Sequence, residues 1–397
     1  MSGAAADPGP IGDGTEILGA VGDGLDHREA PGKRLGAHGY RGRWVRHPRS
    51  IPHMGTPFAN TGLPADSEIV TPNTPGRARP HLVALDWGTT SLRAWLLGAG
   101  GEVIAGRRRT RGLLSMSRLS TDERAAEYER VFGEVCGDWH RDWPGLPSLA
   151  CGMVGSAGGW RDAGYRNVPT DLAIGASDLI EVPHPGGVLH LVPGLRIPSR
   201  DDSPGDVLRG EECQLIGALD LMGLEPSTLV FILPGTHTKW VRVEDRQVLS
   251  FATAMTGELF GLLIHHGLLA RTSELGTRDD DAFARGLAAA DRGLPTELFG
   301  GRALVLDGLL DAAALPDYLS GVLIGDEIRH QLPPHDAADH FVLCGEPDLC
   351  RRYESALARA GVAPRVVTGD ASARGLWSIA HRAGLVTSTN DDEHGGS

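Results

Sequence analysis

Apolar positions along the chain fall in short blocks separated by glycine-bearing polar corners. Leu82-Val83-Ala84-Leu85 is a partly β-branched run, Asp86-Trp87-Gly88-Thr89-Thr90-Ser91 is an acidic break with small residues, and Leu92-Arg93-Ala94-Trp95-Leu96-Leu97 is a second run. This spacing predicts a strand, a tight turn and an antiparallel return strand. A corner at Gly98-Ala99-Gly100-Gly101 leads into Val103-Ile104-Ala105-Gly106. A helix is predicted over 121–139, with Thr121 as its N-cap and acids in its first turn. Leu149-Ala150-Cys151-Gly152-Met153-Val154-Gly155-Ser156 reads as a buried strand passing into a glycine-bearing loop. Further strands are expected at 187–193 and 228–234, separated by a helix that starts near Arg209-Gly210-Glu211. After a second strand-corner-strand, the pattern is mostly helical over 256–330, then strand-like at 341–345 and 365–370, with a last helix ending near residue 383. Such alternation implies an α/β protein with mixed sheets covered by helices.

The ends differ from this body. Residues 1–80 are crowded with Gly, Pro, Arg and His and have almost no periodic apolar pattern, so burial can repay little ordering entropy. They are expected to form a disordered arm. Its role is either contact with acidic partners or none, as a flexible extension or an upstream start with Met54 nearer the true one. Residues 387–397 are expected to be an equally unstructured tail.

Composition narrows the function classes. The 397 residues, 41% hydrophobic, can bury a sizeable core. A net charge of −13 argues against a sequence-independent nucleic-acid binder, which needs a cationic surface to release counterions. The five cysteines form no Cys-x-x-Cys pair and no zinc-spaced cluster, and are expected to be reduced thiols of a cytoplasmic protein. No apolar run approaches the roughly twenty residues of a membrane helix.

The opening corner has an echo. Leu233-Pro234-Gly235-Thr236-His237-Thr238-Lys239-Trp240 again joins an apolar strand, through Gly-Thr and small polar residues, to a strand carrying Trp. Two phosphate-type corners, about 150 residues apart, suggest related lobes facing each other across a cleft that could hold a nucleotide triphosphate. Asp86, where the first strand runs out, is a seat for Mg²⁺ and the nucleotide tail, beside Gly88 with its backbone freedom and two hydroxyls. No glycine-rich loop ends in Gly-Lys-Ser or Gly-Lys-Thr, and a strand rather than a helix follows Gly98-Ala99-Gly100-Gly101. P-loop and dinucleotide-binding readings are therefore disfavoured.

The ordered set Asp86 to Trp95, Gly152-Met153-Val154-Gly155-Ser156 with Gly159-Trp160, Asp201-Asp202, Arg209-Gly210-Glu211-Glu212, Pro234 to Trp240 and Met255-Thr256-Gly257-Glu258-Leu259 resembles the 2-dehydro-3-deoxygalactonokinase family over residues 81–385. The resemblance implies two ribonuclease-H-like lobes of the actin-like ATPase fold, here residues 81–226 and 227–386, with ATP and Mg²⁺ in the interlobe cleft. It implies ATP-dependent phosphorylation of the 6-hydroxyl of 2-dehydro-3-deoxy-D-galactonate in galactonate catabolism. Asp86 would hold Mg²⁺. Gly88, Thr89, Thr90, Gly235, Thr236 and His237 would line the phosphates, and Gly345 and Gly369 would serve the nucleotide from strand-end loops.

For the catalytic base the resemblance points to Glu211, where related sugar kinases carry an acid opening a helix, with Asp202 as the alternative. Gly152, Ser156 and Trp160 would shape the sugar pocket. Among cations able to capture the substrate carboxylate are Arg209 and Lys239, with Arg93, Arg161 and Arg166 also in view. The epimeric 2-dehydro-3-deoxy-D-gluconate is the rival substrate, and a sugar-acid sensor on the same scaffold is a further alternative. No membrane partner is expected. The oligomeric state stays open, a homodimer being one option.

Overall fold

The opening blocks form the antiparallel run that their pattern requires. The computed structural model describes residues 66–70, 79–223, 228–274, 276–332, 340–367 and 370–387. Strands β1 (Ser67–Val70), β2 (Leu82–Trp87), β3 (Leu92–Leu97) and β4 (Val103–Arg109) lie in the spatial order β1-β4-β3-β2. Helix α1 (Thr121–Asp142) follows. Its N-cap is Ser120 rather than Thr121. The Ser120 hydroxyl accepts from Glu123 N–H, while the Glu123 carboxylate accepts from Ser120 N–H, a reciprocal capping box that Thr121 is one residue too late to make. Tyr128, Val131, Phe132, Val135 and Trp139 line the buried face of α1 at helical spacing and cover one face of the sheet.

Short strands follow: β5 (Ser148–Cys151), β6 (Tyr165–Asn167), β7 (Thr170–Asp171), β8 (Ile180–His184), β9 (Gly187–Leu191), β10 (Gly194–Ile197) and β11 (Asp206–Leu208). The first sheet runs β1-β4-β3-β2-β5-β9-β8, and β11-β10-β6 form a small separate sheet. Helix α2 (Glu211–Met222) then leads to β12 (Leu229–Leu233), β13 (Thr238–Glu244) and β14 (Gln247–Ala254). Four helices come next, α3 (Thr256–His265), α4 (Asp280–Ala289), α5 (Leu294–Leu306) and α6 (Leu315–Gln331). The chain closes with β15 (His340–Cys344), α7 (Pro347–Arg359), β16 (Arg365–Val367) and α8 (Ala371–Arg382). The second sheet is ordered β16-β15-β12-β13-β14-β7.

The two sheets share one plan. In each, an antiparallel meander of three strands is continued by parallel strands added beside the first: β4-β3-β2-β5-β9 in one, β14-β13-β12-β15-β16 in the other. This repeated order is the ribonuclease-H-like arrangement of the actin-like ATPase fold. The echo between the two corners is thus an echo of whole lobes.

Some sequence expectations are corrected. Ser67–Val70, assigned to a disordered arm, is a strand paired with β4. β1 pairs through the backbone along the outer edge of β4, and such pairing needs no hydrophobic pattern. The rest of that arm through residue 78, and the tail from residue 388, lie outside the described residues. A division of the chain at 226/227 does not separate the sheets cleanly. Strand β7, from the first half, edges the second sheet against β14, and α8, from the end of the chain, packs on β2 and α2.

Helices α2 and α8 lie in a shared core with residues of both sheets, among them Ala84 and Leu149 of the first and Phe231 and Val342 of the second. Such a position needs apolar residues around most of the helix, and α2 buries Cys213, Leu215, Ile216, Ala218, Leu219 and Met222. The two helices cross at glycines: a Cβ on Gly217 would lie 1.9 Å from Ala371 O, and one on Gly375 1.9 Å from Cys213 O. Elsewhere the β13–β14 turn places two non-glycine residues, Asp245 (φ 48°) and Arg246 (φ 61°), in the left-handed region, at roughly 1–2 kcal/mol per residue.

Gly375→Ala is expected to lower folding stability by about 1–3 kcal/mol through overpacking of this crossing, read as a lower urea midpoint with unchanged slope. An unchanged midpoint would show that the helices have room to separate.

Candidate active site

Asp86 stands at the end of β2, opposite Arg93 of β3 in one register and Cys151 of β5 in the other. Its Oδ2 accepts from Arg93 Nη2 at 2.5 Å and from Ser372 Oγ at 3.0 Å. Arg93 also donates to Ser372 Oγ at 3.1 Å and lies 3.7 Å from Asp370. Burial works against the Arg93 charge, but Asp86 and Asp370 hold its pKa above the ordinary arginine value. Burial likewise raises Asp370, with Arg93 opposing. The start of α8 is thereby fastened to the first corner.

The second carboxylate oxygen, Asp86 Oδ1, faces glycine backbone. A Cβ on Gly152 would lie 3.3 Å from it and one on Gly210 4.0 Å, while a Cβ on Gly210 would meet Gly152 Cα at 3.3 Å. Gly152 (φ 90°) and Gly210 (φ 103°) are left-handed, so both the close approach and the backbone require glycine. Gly88, expected to need that freedom, does not adopt a positive φ.

Gly210 delivers Glu211 at the first position of α2. The Glu211 carboxylate accepts from Arg209 N–H at 2.9 Å. Burial raises its pKa, and Lys239 opposes that rise. Its neighbour Glu212 is fully buried and accepts from Gly210 N–H at 2.7 Å. Burial, reinforced by the Glu211 charge, pushes Glu212 up to about 8. Lys239, in β13, donates to Thr253 Oγ1 at 2.9 Å and Val207 O at 3.2 Å. Arg209 donates through Nη2 to Gly164 O at 2.7 Å and stacks over Tyr165 at 4.3 Å, yet its Nε and Nη1 are buried with no hydrogen-bond partner among the described residues.

Across from this group lies the second corner, between β12 and β13. The start of α3 seats on it: a Cβ on Gly257 would be 2.3 Å from Gly235 O, and Glu258 N–H donates to Thr236 O at 2.9 Å. A cavity of about 600 Å³ opens between the corners, lined by Asp86, Gly88 and Thr90 on one side, Gly235 and Thr236 on the other, and Gly345 beyond β15. That volume suits a nucleotide. Asp86 is common to this cavity and to the Gly152, Gly210 and Glu211 group.

The remaining expected residues fall elsewhere. Thr89 is not a lining residue of the cavity, and its carbonyl accepts from Leu114 N–H. His237 is paired with Glu258, Nε2 to Oε2 at 2.5 Å. Ser156 Oγ donates to Met153 O at 2.8 Å. Trp160 stacks on Tyr128 with centroids 6.0 Å apart and touches Phe132 and Trp87, so its ring belongs to the aromatic core beneath α1. Asp202 occupies an exposed turn between β10 and β11 and is not on the cavity wall. Arg161 and Arg166 engage Glu181 O and Asp171. Gly369 lies outside the described residues.

Asp370, Ser372, Gln214 and Glu212 were not singled out from sequence as site residues, although Asp370, Ser372 and Gln214 line the cavity. The available signal was a small-residue run, Asp370-Ala371-Ser372, directly after a strand and opening a helix. All five cysteines are unpaired and buried. Among the described residues no cluster of three or more His, Cys, Asp or Glu could hold a metal ion alone, and no helix is long and apolar enough to cross a membrane.

Comparison with known proteins shows the family. Residues 86–379 match the family described as 2-keto-3-deoxy-galactonokinase. The chain is 37% identical over 306 residues to the 2-dehydro-3-deoxygalactonokinase of Escherichia coli (strain K12), covering 75% of this chain and 97% of that protein. It also superposes, with a TM-score of 0.65 and 32% identity, on the crystal structure of a Sinorhizobium meliloti protein titled "putative 2-dehydro-3-deoxygalactonokinase", covering 76% of this chain and 98% of that one.

Glu212 gives a testable pH dependence. Its folded-state pKa is raised above the ordinary 4.5, so the folded state retains a proton that the unfolded chain releases. Stability therefore falls as pH rises from about 4.5 towards 8. Glu212→Gln is expected to flatten this slope in denaturant titrations across that range. An undiminished slope would mean that Glu212 is ionised in the folded protein.

Proposed function

The chain belongs to the 2-keto-3-deoxy-galactonokinase family, and from that premise we propose that it transfers the γ-phosphoryl group of ATP to the 6-hydroxyl of 2-dehydro-3-deoxy-D-galactonate. The products are 2-dehydro-3-deoxy-6-phospho-D-galactonate and ADP. The observation that carries this reading is the position of Asp86, shared between a nucleotide-sized cavity and a group holding the half-buried acid Glu211 and the buried cations Arg209 and Lys239. Phosphoryl transfer needs that junction, because donor phosphate, acceptor hydroxyl and proton acceptor must meet in line.

Each residue then has a task. The backbone N–H groups of Thr90, Gly235 and Thr236, on the cavity wall, cradle the phosphates. Glu211 receives the proton of the 6-hydroxyl, and a pKa raised by burial brings it closer to working pH than an exposed carboxylate. Arg209, anchored through Nη2 to Gly164 O, offers its unpartnered Nη1 for a charge-assisted hydrogen bond to the substrate carboxylate. Lys239 opposes the rise in the Glu211 pKa that burial causes. Gly152 leaves space beside Asp86 for the reacting groups.

Mg²⁺ fits this set in one way. Asp86 Oδ1 accepts no hydrogen bond among the described residues, while Oδ2 is held by Arg93 and Ser372, so one oriented oxygen is available to the ion or its water shell. Bound there with the phosphates, the ion would neutralise their charge.

The test is a coupled ADP-release assay with Mg-ATP, comparing 2-dehydro-3-deoxy-D-galactonate, its gluconate epimer and no acceptor. A higher kcat/KM with the galactonate compound is the expected result. Preference for the epimer, or acceptor-independent release, would overturn it. Glu211→Gln is expected to lower kcat by about 10²–10⁴ with the KM for ATP little changed. Arg209→Lys is expected to raise the KM for the sugar acid by about tenfold or more, since one ammonium cannot both keep the Gly164 bond and reach the carboxylate. Unchanged kinetics in either variant would remove that residue from the mechanism.

A further inference from the structure

Helices α2 and α8 both begin at the Asp86 site, with Glu211 opening one and Ala371 and Ser372 opening the other. Their far ends meet at a second cavity of about 610 Å³, bounded also by the β3–β4 corner and the strained β13–β14 turn. Its floor is apolar: Leu172, Ile216, Trp377 and Ile379 line it and are all buried. Its rim is cationic, with Arg246, Arg374 and Arg382 beside His381 and a single carboxylate, Asp220. In a chain of net charge −13, three guanidinium groups around one acid are a local reversal of sign.

These cations are only partly engaged. Arg246 Nη2 donates to Asp220 Oδ1 at 2.9 Å, whose other oxygen accepts from Ser378 Oγ at 2.5 Å. Arg374 Nη1 donates to Gly100 O at 3.2 Å. Arg382 makes no hydrogen bond or ion pair among the described residues, although Asp171 is near enough to feel its charge. A separate observation points to the same rim. Arg246 occupies a left-handed position that glycine would adopt without strain, and its carbonyl accepts from Leu172 N–H at 3.1 Å, so the turn is fastened where the arginine meets the cavity. Positive φ at both residues is what this two-residue hairpin turn demands, and it holds Arg246 at a fixed place on the rim.

We propose that this cavity binds a small organic phosphate, its dianionic phosphoryl group on the arginines and its body on the apolar floor. More than one guanidinium calls for more than one negative charge, and the three oxygens of a phosphate monoester match several N–H donors. The C-terminal end of α8 opposes an anion with only about half an elementary charge, which the arginines outweigh. The floor, with the Trp377 ring, favours an ester over the bare ion. This assignment is independent of the reaction assigned to the first cleft.

The test is isothermal titration of the full chain with glucose 6-phosphate as probe, in the presence of saturating Mg-ADP to fill the nucleotide cleft. Saturable binding to one site that weakens as salt rises is expected, with weaker binding of inorganic phosphate and none of glucose. Arg382→Gln and Arg246→Gly should each weaken it about tenfold. The second variant relaxes the turn, so misfolding would not explain its loss. Absence of saturable binding, equal affinity for inorganic phosphate, binding of glucose, or wild-type affinity in both variants would overturn the proposal.

Discussion

The ion pair between Asp86 and Arg93 is the contact on which the site depends. The carboxylate has to stand at the end of a central strand, where it can face phosphate and acceptor together, yet a bare acid there would be free to rotate. Arg93, directly opposite in the antiparallel register, fixes one oxygen, and Ser372 fixes it a second time. Because Ser372 belongs to the last helix, this small cluster also fastens the end of the chain to its first hairpin. Removing Arg93 would therefore be felt in both places, as a loosened carboxylate and a loosened helix.

The Ser372 contact forms because α8 runs between the sheets at close range to α2. Gly217 and Gly375 let α2 and α8 cross with backbone nearly touching backbone, which brings Glu211 and Ser372 to the same end of the pair. Gly152 and Gly210 repeat the device on a smaller scale around Asp86. Hydrophobic burial holds the lobes together through α2 and α8, and the polar site occupies the cleft end of that shared core. The opposite end is where the arginine-rimmed cavity opens.

Much of this was legible in the sequence, for physical reasons. Hairpins with Gly-Thr corners carry strong local signals, so both corners and the alternation around them could be read directly, and the repeated sheet order follows from their echo. Glu211 was legible as an acid opening a helix. What escaped was non-local. Ser372 reaches Asp86 across 286 residues with no local cue, and the edge strands β1 and β7 pair through backbone groups that side-chain patterns do not encode. Nor does a motif tell where a side chain comes to rest: the Trp160 ring joins an aromatic cluster, and Asp202 sits on an exposed turn. Glu212 was passed over because an acid beside an acid at a helix start gives no hint of which one is buried.

The most direct measurement is a crystal structure of the protein with a non-hydrolysable ATP analogue, Mg²⁺ and the sugar acid. The account predicts the γ-phosphate between the Asp86 and Gly235 corners, the substrate carboxylate on Arg209, and the 6-hydroxyl about 2.6–3.2 Å from the Glu211 carboxylate. A nucleotide bound elsewhere, or a sugar acid whose 6-hydroxyl is out of reach of Glu211, would contradict it.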